Sequence, residues 1–335
     1  MRWVSTIEAR LESLFEALER EHGFSGAVLV SQGCQTVFEG AYGFASRQLN
    51  VRNTVETRFH IASVTKMFIA MAALTLVEEG RVLLDERPAT YLPALSSLDE
   101  RVTLHHLLSH TSGVADVYDD VPNAAFEALK AKNEGRDLLT YLASQPQVFE
   151  PGDRWSYSST GYLLVGYVLE QVTGTTFETL LRDRVLAPLA MTNTGVDRLR
   201  RINRGRAYGH TFADGHFVNA DNDALSPFDD GPGELYSTIG DLKLWCDALL
   251  SNPPVSASTL ELMFTAHARI DADRSYGYGW FLEPPSRTHG GHTPGFFSRI
   301  TQLPEQHLSL ILLMNASHVG PDPIIEQMTS LVAEG

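Results

Sequence analysis

The chain has 335 residues, 43% hydrophobic and 20% charged, which suits one large domain or two intimate ones and excludes a disordered or fibrous protein. A formal net charge of −15 opposes binding to nucleic acid or anionic membrane surfaces, both of which attract Lys and Arg patches, so small molecules are the expected partners. The only two cysteines, Cys34 and Cys246, are too few for a disulfide framework and read as reduced thiols.

Met1 to Val4 run into a charged segment from Glu8 to Glu21, without the apolar core or small-residue cleavage site of a signal peptide. The longest apolar stretch, Met67 to Leu74, is far too short to span a bilayer. A cytoplasmic protein with no membrane partner is therefore expected. Over residues 5–22, Ile7, Leu11, Leu14, Phe15 and Leu18 recur at spacings of three and four, which predicts an amphipathic helix. Ser25–Ser31 and Thr36–Tyr42 flank Gln32-Gly33-Cys34 and predict a β-hairpin for that helix to cover. Val64 to Val77 is apolar on nearly every side, the pattern of a helix buried all round.

From Asp85 to about Asn193 the pattern is helical, broken by turn clusters at Pro122-Asn123 and Pro151-Gly152-Asp153. After Tyr208 the chain becomes loop-rich until Thr238, whose spacing to Asp241 resembles a capping box for a helix through Leu250. Tyr276–Leu282, Phe296–Leu303 and His307–Met314 predict strands, and Ile324–Val332 a last helix. Strand-rich ends around a helical middle imply a discontinuous α/β domain from residues 1–75 and 205–335. A mostly helical domain over 76–204 is inserted in it, with the active site in the cleft between. There are no internal repeats.

Three segments carry chemistry. In Ser63-Val64-Thr65-Lys66 the i, i+3 spacing brings an amine to a serine hydroxyl at a helix N-terminus, and a serine is a weak nucleophile until a neighbour takes its proton. Lys66 is followed by Met67-Phe68-Ile69-Ala70-Met71, so it is expected to be buried with partners, although a lysine snorkelling from the helix end would share the pattern. Tyr157-Ser158-Ser159 offers a phenol that can exchange protons beside a lysine, or simply a core tyrosine. In His289-Gly290-Gly291-His292-Thr293-Pro294-Gly295-Phe296, glycines would let substrate approach a strand edge whose N–H can serve as an oxyanion donor; a plain glycine-rich turn is the alternative.

Taken in order, these segments resemble the class C β-lactamase and penicillin-binding-protein-like serine hydrolases, which include esterases and D-amino-acid peptidases. Also matching are Ser25-Gly26-Ala27-Val28, Thr57-Arg58-Phe59, Leu107 to Gly113, Pro151-Gly152, Leu235-Tyr236-Ser237-Thr238 with Asp241-Leu242, and Tyr276 to Trp280. The resemblance implies an α+β, β-lactamase/transpeptidase-like fold: an antiparallel sheet flanked by the N- and C-terminal helices, with an inserted all-α region. It further implies that Ser63 is acylated, that Lys66 and Tyr157 share general-base and general-acid work, and that the backbone amides of Ser63 and His292 form the oxyanion hole. Ser159, His289, Gly290 and Gly291 would touch substrate, and no cofactor is implied.

Two departures bear on substrate. Ser159 stands where many relatives have Asn and reaches less far. His289-Gly290-Gly291 stands where β-lactam-processing relatives carry Lys-Thr-Gly, and a histidine of ordinary pKa is mostly neutral at pH 7. The expected substrate is therefore a small carboxylic ester, with a D-amino-acid amide as the alternative and a ligand-binding or sensor protein as a further one. Tyr118, Trp155, Tyr208, Phe228 and Phe296 flank motifs or loops near the cleft and suit either an acyl or alcohol pocket or core packing, and Tyr118 and Phe296 are taken as substrate-binding. Asp229-Asp230 reads as a solvated loop at the cleft mouth. His105, His106 and His110 lack the glutamate of an H-E-x-x-H site, so no metal is expected.

Overall fold

The first helix is held by the residues its spacing singles out. In a computed structural model, which describes residues 2–120, 124, 128, 135–198, 201–220 and 232–333, α1 (Arg2–His22) buries Ile7, Leu11, Phe15 and Leu18. The predicted turn at Pro122-Asn123, and Phe228, Asp229 and Asp230, lie outside the described residues.

The hairpin forms as β1 (Gly26–Gln32) and β2 (Gln35–Tyr42), in antiparallel register from Gly26 opposite Tyr42. Short strands β3 (Phe44–Ser46) and β4 (Val51–Arg52) follow, then β5 (Phe59–Ala62) and α2 (Thr65–Glu78). The middle of the chain supplies α3 (Pro88–Tyr91), α4 (Leu104–Leu108), α5 (Gly135–Ala143), α6 (Ser159–Thr173) and α7 (Phe177–Leu181). After β6 (Gly195–Val196), a small hairpin of β7 (His210–Ala213) and β8 (His216–Asn219), and β9 (Leu235–Ser237), helices α8 (Ile239–Ser251) and α9 (Ala257–Phe264) lead back to the sheet. The chain ends with β10 (Ala268–Arg269), β11 (Ser275–Tyr276), β12 (Phe281–Glu283), β13 (Ser286–Thr293), β14 (Phe296–Leu303), β15 (Leu308–Met314) and α10 (Asp322–Ala333).

The main sheet has eight antiparallel strands in the order β10-β11-β12-β13-β14-β15-β1-β2, so the amino-terminal hairpin joins strands from the other end of the chain. The central strand β15 is buried along its whole length, which is why it reads as an unbroken apolar run. Its alternate residues serve two cores. Leu310, Leu312 and Met314 join Val28 and Val30 in a cluster with α1 and α10, whereas Ile311 and Leu313 join Ala27 and Leu29 in a cluster that includes α2. This second cluster runs on through α6 and α7. Helix α2 lies inside it, with every residue from Thr65 to Leu76 buried.

Two local expectations are corrected. Tyr276–Leu282 is not one strand: Gly277 donates to the Trp280 carbonyl at 2.9 Å, closing a hairpin turn between β11 and β12. Gly279 sits in that turn at φ +77°, and a Cβ there would lie 2.8 Å from the Met67 Cα, so the turn rests on the first turn of α2. The capping box at α8 is half formed. Thr238 accepts from the Asp241 amide at 3.1 Å, but the Asp241 carboxylate accepts from the Asn193 amide and the Thr194 hydroxyl instead, tying that segment to the start of α8.

Candidate active site

Ser63 lies in the turn from β5 into α2. The preceding residue, Ala62, has φ +45°, an uncommon conformation for a residue with a side chain. The Lys66 amide donates to the Ser63 carbonyl at 3.0 Å, and the Lys66 Nζ donates to the Ser63 Oγ at 3.2 Å. Nζ is also 3.4 Å from the Ser159 Oγ and lies 4.9 Å from the ring centre of Tyr157 and 5.8 Å from that of Tyr162. Lys66 is only 5% exposed, and among the described residues no carboxylate forms an ion pair with it. Snorkelling is therefore not its role: the amine ends inside the protein, between two hydroxyls and two ring faces. The geometry assembles Ser63, Lys66, Tyr157 and Ser159 from two helical segments.

The Tyr157 segment is fixed by residues of the Leu107–Gly113 motif. His110, at φ +60°, accepts the Ser158 N–H on Nδ1 at 3.0 Å, and its carbonyl accepts from Ser156 at 2.9 Å. Its ring lies 4.4 Å from that of Tyr157. Burial first, then the charge of Lys66, holds the His110 pKa well below its ordinary value, consistent with a neutral ring accepting on Nδ1. Tyr157 also stacks on Phe281, with centroids 6.4 Å apart and planes 7° from parallel.

Asp116 is a contributor that the sequence did not disclose. Its Oδ2 accepts from the amides of Ser159 at 2.5 Å and Thr160 at 3.2 Å, and its Oδ1 accepts from the Tyr118 amide at 2.9 Å. A carboxylate at the N-terminus of α6 satisfies amides that lack helical partners and complements the helix dipole. It fixes the start of the helix that carries Ser159. Nothing in Ala115-Asp116-Val117 signals its reach to α6, because the Ser159 and Thr160 amides lie 43 and 44 residues away.

The β13 edge is a strand, not a plain glycine turn. Gly291 passes close to the serine: a Cβ at this position would stand 2.3 Å from the Ile61 carbonyl oxygen and 2.9 Å from the Ser63 nitrogen. Gly290 faces away, toward the guanidinium of Arg299. His292 is exposed and stacks on Phe297 at 4.3 Å.

His289 differs from what was expected of a substrate contact. It is 1% exposed, with Nε2 at 3.1 Å from the Tyr276 hydroxyl and Nδ1 at 2.7 Å from the Gly290 carbonyl. Burial, with a contribution from Lys66, pushes its pKa down to about 3, so it is a neutral, inward-facing side chain. Phe296 is likewise corrected: fully buried, it packs over His60 and Arg206 rather than on the pocket. Tyr118, 55% exposed, does line the pocket, whereas Trp155 packs near Tyr157 and Tyr208 is exposed. The three histidines near α4 diverge: His105 bonds Tyr278, His106 caps α4 through Thr103, and His110 holds Ser158. Among the described residues no group of His, Cys, Asp and Glu is placed to hold a metal ion, and no helix is long and apolar enough to cross a membrane.

A second polar array lies beneath β5. The fully buried His60 bridges two carboxylates, Nδ1 to Asp197 at 3.0 Å and Nε2 to Glu234 at 2.8 Å, and Arg206 donates to Asp197 at 2.7 Å. Burial depresses the imidazole, but the hydrogen bonds and charges of the two carboxylates outweigh it and leave its pKa raised. The array pins β5, and so the turn to Ser63, to the segments at Asp197 and Glu234. Both partners are remote in sequence.

The pocket beside Ser63 has a volume of about 100 Å³. Ser63, Lys66 and Ser159 stand at it, and Ile69, Val117, Leu138 and Leu163 give it an apolar lining.

The chain is similar over nearly its whole length to known proteins. A Beta-lactamase family profile matches residues 11–331. Penicillin-binding protein 4* of Bacillus subtilis is 28% identical over 327 residues, 91% of this chain and 71% of that protein. The crystal structure of a penicillin-binding protein from Bacillus halodurans superposes with a TM-score of 0.83 at 28% identity, covering 94% of this chain and 98% of that one. EstCE1, described as a hydrolase with promiscuous acyltransferase activity, shares the fold at a TM-score of 0.83 and 21% identity, over 99% of this chain and all of the other. With an antiparallel sheet covered on one face by both terminal helices, a helical middle, and Ser63 beside Lys66 at the start of α2, the chain belongs to the Beta-lactamase family.

Proposed function

We propose that the protein is a serine hydrolase that works through an acyl-enzyme on Ser63 and acts on small carboxylic esters. The observation that carries this reading is the Lys66 Nζ at 3.2 Å from the Ser63 Oγ, inside the protein and without a carboxylate ion pair among the described residues. In this reading Lys66 and Tyr157 share the proton transfers, relieving Ser63 of its proton and supplying one to the leaving oxygen. The backbone amides of Ser63 and His292 receive the negative charge that develops on the carbonyl oxygen. The close passage of Gly291 past Ser63 supports this, since it brings the β13 backbone next to the nucleophile.

The ester preference is supported by His289. Where a lysine would offer a fixed positive charge to a substrate carboxylate, this chain has a buried ring kept neutral, with both nitrogens engaged inside the protein. An alkoxide or phenoxide also leaves more readily than an unprotonated amide nitrogen, so an ester asks less of the general acid. The testing experiment is a panel of 4-nitrophenyl esters, D-alanyl anilides and a chromogenic cephalosporin. The expected kcat/KM for the esters exceeds that for either of the others by at least 10²-fold. Faster hydrolysis of D-alanyl anilides would replace the ester reading with a D-amino-acid amidase, and a folded protein inert to all three would favour a binding role.

A further inference from the structure

We infer that the pocket beside Ser63 holds the acyl chain of the substrate, and that Leu138 of α5 and Leu163 of α6 set the length of chain it accepts. This rests on the acyl-enzyme reading above and adds to it the direction in which substrate lies and the residues that measure it.

The direction follows from the placement of the acid. A group that protonates the leaving oxygen must face it, so the alcohol half of an ester belongs on the Tyr157 side of Ser63, where Trp155 and Phe281 lie against Tyr157. Ser63 and Lys66 border the pocket, but Tyr157 and the β13 edge do not. It therefore opens on the other side of the serine, where the acyl half must go.

The wall defines the chemistry. Val117 and Leu138 belong to a small apolar cluster with Leu142, separate from the main core, against which Leu163 packs. Val117, Leu138 and Leu163 line the pocket together with Ile69 of α2. The carboxylate on the wall, Glu234, is held by His60 at 2.8 Å. A wall built mainly of apolar side chains beside the serine suits a hydrocarbon chain on a carbonyl.

The size gives a length. An apolar cavity of about 150 Å³ holds benzene, with six carbons. On that scale the pocket of about 100 Å³ holds roughly four carbons beyond the carbonyl. Each methylene placed against apolar side chains strengthens binding about fourfold until the space is filled.

The test is a series of 4-nitrophenyl esters from acetate to decanoate with the wild type, Leu138→Ala and Leu163→Phe, run beside a matching series of alkyl fluorophosphonates whose rate of attachment to Ser63 is read by mass spectrometry. For the wild type, kcat/KM and labelling rate should climb about fourfold per carbon and level off near pentanoate. Leu138→Ala, which removes three carbons from the wall, should move the optimum two or three carbons longer. Leu163→Phe should lower the pentanoate-to-acetate ratio of kcat/KM about tenfold. Circular dichroism confirms that each variant is folded; if one is not, the other carries the test. Chain-length profiles that are flat, or unchanged in a folded variant, would overturn the pocket assignment while leaving the nucleophile standing. Failure of every phosphonate to label Ser63 would overturn the acyl-enzyme reading and this assignment with it.

Discussion

Replacing Lys66 with methionine is expected to lower kcat/KM for an aryl ester by about 10³-fold, within the range that a positioned acid or base contributes. The same change should leave the fold intact. The amine is buried between hydroxyls and ring faces, with no ion pair to a carboxylate among the described residues, so an apolar side chain of similar length strands no buried countercharge. The two halves of this prediction separate catalysis from structure. A structural lysine would show the opposite pattern, with lost stability and modest loss of rate. Lys66→Arg should not restore activity, because a guanidinium does not release its proton in a protein. The measurement is steady-state kinetics beside chemical denaturation for all three proteins.

The second large effect is expected at a residue with no side chain. In Gly291→Ala the new methyl would lie 2.3 Å from the Ile61 carbonyl oxygen, 2.5 Å from the Ser298 Oγ and 2.9 Å from the Ser63 nitrogen. Two of these are backbone atoms of the strand and turn that carry the serine, so β13 must move away from it. Loss of an aligned oxyanion donor costs about 10²- to 10³-fold in kcat, and overpacking adds about 1–3 kcal/mol of instability. Gly290→Ala is the control. Its methyl would meet the guanidinium of Arg299 at 3.4 Å, the end of a flexible side chain, and activity should stay within about threefold of the wild type. Comparable losses in the two variants would mean that the strand as a whole, rather than its passage by Ser63, matters.

The sequence revealed most where one residue type repeats along one element. The spacing of Ile7, Leu11, Phe15 and Leu18, and the all-round apolar face of Val64–Val77, correspond to α1 and α2, and the apolar run of His307–Met314 to a strand buried on both faces. It also placed Ser63 beside Lys66, since both lie on one local turn. Relations across the chain were less legible. Asp116 reaches the amides of Ser159 and Thr160, and His60 reaches Asp197 and Glu234; such pairings leave no periodic trace. Glycines left two readings open. Gly290 and Gly291 lie within a strand because close approach to Ser63 outweighs their poor strand propensity, whereas Gly277 and Gly279 break what looked like a continuous strand. His289 was legible as a departure from lysine, but its inward orientation depends on Tyr276, which the β11–β12 hairpin delivers.

The reading as a whole turns on whether Ser63 is a nucleophile. The direct measurement is intact-protein mass spectrometry after exposure to an alkyl fluorophosphonate, followed by peptide mapping, for the wild type, Ser63→Ala and Lys66→Met. One adduct per wild-type chain is expected, located on Ser63, with none on the alanine variant and labelling slowed by orders of magnitude in the methionine variant. A folded wild-type protein that acquires no adduct, or acquires it on another residue, would contradict the nucleophilic role of Ser63.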